Sequence, residues 1–219
     1  MSKISLIFYW VFFAVLNLKA SEYEITVLAT NTANFGGIGE WSFSALLESD
    51  DEKILFDTGF NENTVLHNAN LLGKDLSQVE KVILSHFHGD HTGGLIKLRK
   101  TFKEINPKAF STVYVADGFF EQRYDENGEL RGFIGGFNDV DNFLKETDDL
   151  GIRFVILKEP IEISKNLYLS GPVERIHERV VVSPGFYLKK DGLLLDDLVL
   201  DDQSLGILTK QGWYMMSGC

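Results

Sequence analysis

Disulfide chemistry is absent from this sequence: its 219 residues hold a single cysteine, Cys219, so no intrachain bridge can form in any compartment. Proline is scarce at four residues, and no linker, low-complexity tract or internal repeat divides the chain. Its length is that of one domain with a full core. Basic residues are outnumbered, 21 Lys and Arg against 32 Asp and Glu, and the net charge of −11 argues against nucleic acid or an anionic membrane face as a partner. Histidine is nearly as rare as proline. Yet three of the five histidines stand within six residues of "VILSHFHGDHTGG", Val82 to Gly94.

Long apolar runs are also missing, with one exception. After Lys3, "ISLIFYWVFFAVLNL" runs from Ile4 to Leu18 without a charge. A membrane span needs about twenty such residues. The run suits the apolar core of a secretory signal, with cleavage between Ala20 and Ser21. The expectation is a leader over residues 1–20 and a mature domain over 21–219 that is exported, periplasmic or secreted, with no stable membrane association once the leader is removed. The alternative is a membrane anchor through residues 4–18.

Periodicity places the elements. "YEITVLAT" alternates as a strand, and "FSALLE" and "KILFDTG" flank the acidic turn Ser49 to Glu52 as a hairpin. "ENTVLHNANLLG" and "LIKLRKTF" have helical spacing, as does "FNDVDNFLKETDDLG", which stops at Gly151. "KVILSH", "TVYVAD", "IRFVILKEP", "IEISKNLYLSG", "SLGILTK" and "GWYMMSG" read as strands, and Asp125 to Gly136 as a surface loop lying over something or, equally, a solvated connector. Strands alternating with helices, plus hairpins, predict an α/β (α+β) domain of mixed sheets covered by helices.

The histidine cluster carries the chemistry. His86 and His88 are two apart, so in extended backbone both imidazoles point one way. Gly89 lets the chain turn, which re-aims Asp90 and His91 at a point nearby. Four donors of types suited to zinc, iron or manganese fit two adjacent ions better than one, since one ion needs three or four ligands. A solvated polar loop is the alternative, but it leaves the spacing and the apolar strand before it without a reason. His67 lies one step off the apolar stripe of its helix and reads as surface. His177, amid charges in "VERIHERV", reads as exposed, and Cys219 as a frayed terminus.

"HFHGDH" followed by Thr-Gly-Gly resembles the His-x-His-x-Asp-His signature of the metallo-β-lactamase superfamily. The resemblance implies an αβ/βα four-layer sandwich with a one- or two-metal site at the sheet edge. By position, His86 and His88 would bind the first metal and Asp90 and His91 the second, and Asp57 in "ILFDTG" would support the ligand loop from behind, with an Asx-type turn before Gly59 as the alternative. "ITVLATNTA", "LDDQSL" and "MMSGC" narrow the resemblance to a subgroup named for an enzyme that joins a dihydropterin to ribofuranosylaminobenzene phosphate. There Asp201-Asp202-Gln203 matches a recurrent acidic motif, to be weighed against a solvated turn. Two departures accompany the match. In the subgroup, Gly218-Cys219 would continue into Ser-His and later His-Cys-Thr-Gly, so the pattern implies that C-terminal ligands and part of the second half are missing. Trp41 stands where relatives carry a small residue, which implies a different pocket wall.

The function these readings imply is a metal-dependent hydrolase-like enzyme. Its cofactor would be a divalent transition metal, zinc foremost, as one or two ions. A metal-bound hydroxide would attack an ester or phosphoester-type small-molecule substrate, with Asp90 holding the second metal and orienting the nucleophile. A dihydropterin transferase-type reaction is the variant. An exported, non-catalytic metal- or ligand-binding protein that keeps a partial site is the alternative from another class.

Overall fold

A computed structural model describes residues 23–132, 134–174 and 184–218. The leader, His177 and Cys219 lie outside them. Three strands open the fold: β1 (Glu24–Ala29), β2 (Ser44–Glu48) and β3 (Lys53–Phe56), antiparallel in sequence order. From β3 the chain crosses through α1 (Thr64–Leu71) to β4 (Val79–Ile83), then through α2 (Gly89–Thr92) and α3 (Leu95–Phe102) to β5 (Thr112–Ala116). A two-residue β6 (Arg123–Tyr124) and α4 (Val140–Asp149) lead to β7 (Arg153–Leu157). Strands β3, β4, β5 and β7 are parallel, and the six-stranded sheet runs β1-β2-β3-β4-β5-β7.

The second half is all strand among the described residues. The hairpin β8 (Ile161–Ser164) and β9 (Leu167–Leu169) turns at Asn166, whose φ is 63°. After β10 (Tyr187–Lys190) and β11 (Leu193–Asp196), β12 (Ser204–Thr209) and β13 (Gly212–Ser217) join that hairpin in a four-stranded sheet ordered β13-β12-β9-β8. β10, β11 and β6 form a small third sheet.

Alternation along β2 to β5 sends side chains to two cores. Leu46, Leu55, Val82, Val113 and Val115 face the helices, where Val65, Leu95, Leu98 and Phe143 meet them. Leu47, Ile54, Phe56 and Ile83 face the other sheet and pack on Leu167, Leu169, Leu205 and Ile207. Helix, sheet and sheet therefore give three layers of the expected four. Among the described residues no helix covers the outer face of the four-stranded sheet, where Trp213 and Met215 are more than half exposed, and no helix is long and apolar enough to cross a membrane.

The structure adjusts several sequence-based boundaries. The strand over "KVILSH" starts earlier, at Val79, and its regular ladder stops at Ile83, short of the histidines. "IEISKNLYLSG" is two strands, not one. The stretch Asp125 to Gly136 is more than a surface loop, because Ile134 is buried in the helix-side core and the Gly135 N–H donates to Thr92 Oγ1 at 2.8 Å.

Charge pairs tie the sheet edges. Glu48 bonds Lys53 (2.9 Å) and Lys74 (2.6 Å), while Glu52 takes Lys81 (2.8 Å) and the Tyr23 hydroxyl (2.9 Å). Burial would raise both glutamate pKa values, but the lysines outweigh it and leave both lowered. A lowered folded value means stability that is complete above the unfolded carboxylate range, about 4.3, and lost as pH falls through the folded values. These groups are partly exposed, so each pair contributes at most about 1 kcal/mol. Thermal midpoints followed from pH 6 downward should therefore drop below about pH 4.3. Glu52→Gln should flatten that slope, and an unchanged slope would show that the Glu52 pairs contribute nothing.

Candidate metal centre

The parallel order carries the C-terminal ends of β3 and β4 to one edge of the sheet, the edge where α/β folds place their sites. The loops that leave them are stitched together. Asp57 N–H donates to Ile83 O (2.8 Å), Thr58 N–H to His91 O (2.7 Å) and Gly93 N–H to Gly59 O (2.9 Å). Glu40 clamps the outer side, accepting from the Phe60 and Asn61 amides and from the Thr64 hydroxyl at 2.8–3.1 Å. Phe43 N–H donates to Asp90 O at 3.3 Å, and nearby Trp41 is 79% exposed.

Asp57 organises the interior. It is fully buried in the left-handed region at φ 54°, a conformation aspartate adopts more readily than most residues. Its Oδ1 accepts from Ser85 N (2.7 Å), and its Oδ2 accepts from the Ser85 hydroxyl (2.8 Å) and from His91 Nδ1 (2.7 Å). The Asx-turn alternative is thus displaced by a buried hub. With its proton committed to Asp57, the Ser85 hydroxyl can only accept from His86 Nδ1, at 3.0 Å. One carboxylate therefore places two protons: His86 and His91 both carry hydrogen on Nδ1, which leaves Nε2 of each on the side away from Asp57. Gly218 closes this corner, since a Cβ there would stand 1.9 Å from Ser85 Oγ.

The three imidazoles and Asp90 converge. Ring centroids of His86 lie 4.5 Å from His88 and 4.3 Å from His91. His86 Nε2 and His88 Nδ1 are 2.8 Å apart, and His91 Nε2 is 3.6 Å from Asp90 Oδ2. Burial pushes the His88 pKa down to about 4, with Asp90 opposing, so its imidazole is neutral near pH 7. Burial would lower the His91 pKa as well, but Asp57 outweighs it and leaves that pKa raised.

Do these donors fit a divalent cation? Zinc–nitrogen bonds of about 2.0–2.1 Å at tetrahedral angles set ligand atoms about 3.3 Å apart. Asp90 and His91 are a few tenths of an ångström wider than that, and His86 and His88 about half an ångström closer, because they hydrogen-bond each other. Among the described residues the donors meet in pairs, and no group of three or more His, Cys, Asp or Glu stands together at metal spacing. Opening the His86–His88 pair by about half an ångström is a side-chain adjustment, and three imidazoles with one carboxylate are the donor types a divalent transition metal takes, so the set fits by its chemistry.

The second half of the chain braces the ligand loop. Gln203 N–H donates to Ser85 O (2.8 Å), and its Nε2 to Leu84 O (2.8 Å). Asp201 accepts from Phe87 N at 2.9 Å and from Arg123 Nη2 at 2.8 Å. Burial pushes the Asp201 pKa up to about 6, with Asp197 adding to the rise and Arg123 opposing it. The Asp201-Asp202-Gln203 motif is therefore buried against the site rather than a solvated turn, and Asp202 is close enough to His91 to raise its pKa. His67 is exposed on α1, with Nε2 2.8 Å from Gly36 O. Sequence reasoning missed Ser85, Glu40 and Arg123. Only Ser85 left a signal, as the residue joining the strand to His86.

Comparison with known proteins places this geometry. The profile of the Metallo-beta-lactamase superfamily matches residues 42–163. The 7,8-dihydropterin-6-methyl-4-(β-D-ribofuranosyl)-aminobenzene-5'-phosphate synthase of Methanocaldococcus jannaschii is 30% identical over 212 residues, 92% of this chain and 69% of that one. The anti-Pycsar protein Apyc1 of Paenibacillus sp. (strain J14) is 32% identical over 131 residues, 57% of this chain and 47% of that one. The crystal structure of Tm1679, a metal-dependent hydrolase of the β-lactamase superfamily, superposes with a TM-score of 0.66 at 28% identity over 90% of this chain and 65% of that one. The chain thus spans about two thirds or less of the length of these relatives. By profile, by sequence and by fold, it belongs to the metallo-β-lactamase superfamily.

Proposed function

We propose that His86, His88, Asp90 and His91 hold divalent metal, zinc foremost, and that the chain uses it in hydrolase-type chemistry on an ester or phosphoester of a small molecule. The observation that carries this reading is the Asp57 hub, which turns Nε2 of His86 and His91 toward one space with neutral His88 and Asp90 around it. Members of the superfamily generally bind divalent metals, usually zinc. A cation bound there would supply Lewis acidity, enough to bring the pKa of a water from about 15.7 toward 7.

The chain's own residues do the rest. His86 with His88, and Asp90 with His91, form two donor pairs. Asp90 is half-buried, so its carboxylate reaches both the donor space and solvent, and it can orient an incoming water. Ser85 and Asp57 fix proton positions behind the imidazoles, so neither His86 nor His91 has to change tautomer to act as a ligand. A dihydropterin transferase-type reaction is the second reading, favoured by the name of the 30% identical relative.

The test compares zinc-loaded and metal-free protein on bis(p-nitrophenyl) phosphate and p-nitrophenyl acetate, with Asp90→Asn beside wild type. Loading should produce turnover, and Asp90→Asn should lower it by about 100-fold or more. Equal rates with and without metal would sink the hydrolase reading. Pyrophosphate release from a dihydropterin diphosphate, without ester turnover, would favour the transferase.

A further inference from the structure

Phe87 stands between the two candidate ligands His86 and His88, and it is gripped on two sides. Its N–H donates to Asp201 Oδ2 at 2.9 Å, and its ring lies 3.6 Å beneath the Arg123 guanidinium. Arg123 and Asp201 are joined in turn, Nη2 to Oδ1 at 2.8 Å, and both are almost fully buried. Arg123 is held elsewhere too: Nε donates to Asp197 at 3.2 Å, and Nη1 to the carbonyls of Gly118, Phe119 and Glu121.

A core of this kind is an unfavourable way to gain stability. Desolvating one guanidinium and two carboxylates costs several kcal/mol per ion, and well-packed apolar residues often serve as well or better. What the ions supply and apolar groups cannot is direction. A carboxylate that accepts the Phe87 N–H fixes the plane of the His86–Phe87 peptide. In a His-x-His segment that plane decides where both flanking imidazoles point. Arg123 fixes the carboxylate and the Phe87 ring together. A second buried arginine shows the contrast: Arg99 donates to the backbone carbonyls of Leu150, Pro107 and Ala109 and to none of the residues that hold the ligand loop.

We propose that Asp201, held by Arg123, is a positioning residue that sets the spacing of His86 Nε2 and His88 Nδ1 for metal. The proposal rests on the metal-site reading above. It makes "LDDQSL" a brace from the second half of the chain, reaching across the sheet edge to aim ligands in the first.

Cobalt(II) titration tests it, read as affinity and as the visible d–d spectrum, with thermal midpoints measured in parallel. Asp201→Asn and Arg123→Lys should weaken cobalt binding by about 10–100-fold and change the position or intensity of the d–d bands. Arg99→Lys should lower the thermal midpoint while keeping wild-type affinity and spectrum. If Asp201→Asn fails to fold, Arg123→Lys carries the comparison. Wild-type affinity and spectrum in the Asp201 and Arg123 variants, or an equal spectral change in Arg99→Lys, would overturn the positioning role alone. No cobalt uptake by wild type would overturn the metal reading, and this proposal with it.

Discussion

Alanine at both His88 and Asp90 is expected to abolish the uptake of divalent transition metal that wild type shows after dialysis against zinc. The double substitution takes one donor from each pair and leaves only His86 and His91, two imidazoles against the three protein ligands a catalytic zinc site ordinarily has. Neither substitution removes a fully buried side chain or a member of either apolar core, so the fold should persist and far-ultraviolet circular dichroism should match wild type. The same donor arithmetic fixes the wild-type stoichiometry. The spacing of the four suggested two adjacent ions, but at three protein ligands per catalytic zinc four donors complete only one, so the 219-residue chain should bind about one equivalent tightly, with any second site weak. Elemental analysis decides both points. Equal, negligible metal in wild type and variant would remove the site assignment. Two tight equivalents would mean that further ligands lie within the chain, and Asp202, near His91, would be the first to test.

The legible part of this protein is the part whose meaning is local. His86, His88, Asp90 and His91 announce themselves because their spacing and the glycines around them act within ten residues. The parallel half of the large sheet was legible for the same reason: β3, α1, β4, α3 and β5 each carry their own period. The ligand strand stops at Ile83 because its ladder with β5 ends there, after which Gln203 takes over as its partner, and no local period reports such a handover. Arg123 was silent. Its value depends on Asp201, 78 positions away, and a buried charge pair has no sequence signature until folding brings its members together. The two-residue β6 is too short to show alternation. The β10–β11 hairpin is different: Asp191-Gly192, at φ 52° and 82°, is a turn pair that signals a hairpin directly in the sequence.

Gly93→Ala should destabilise the protein, although local reasoning points the other way. Gly93 has φ −62° and ψ −31°, ordinary helical values, so alanine there would gain about 1 kcal/mol of helix propensity. The opposing effect is contact. A Cβ at Gly93 would stand 1.9 Å from Phe60 O and 2.7 Å from Phe60 C, and backbone atoms cannot swing aside as a side-chain tip can. Either α2 or the loop after β3 must retreat. That loop carries Asp57, Thr58 and Gly59, which bond His91 Nδ1, His91 O and Gly93 N, so retreat breaks the links that aim His91. The clash should win, with a net loss near the upper end of the roughly 1–3 kcal/mol typical of overpacking. For a chain of this length that lowers the thermal midpoint by roughly 5–10 °C. Metal affinity should fall with it. Gly73→Ala is the control: a Cβ there meets nothing within 4 Å, and φ is +67°, so its cost of roughly 1 kcal/mol comes from backbone conformation alone and metal binding should be untouched. A Gly93→Ala protein as stable as wild type would mean that propensity outweighs contact and that the two loops are less tightly coupled than their hydrogen bonds imply.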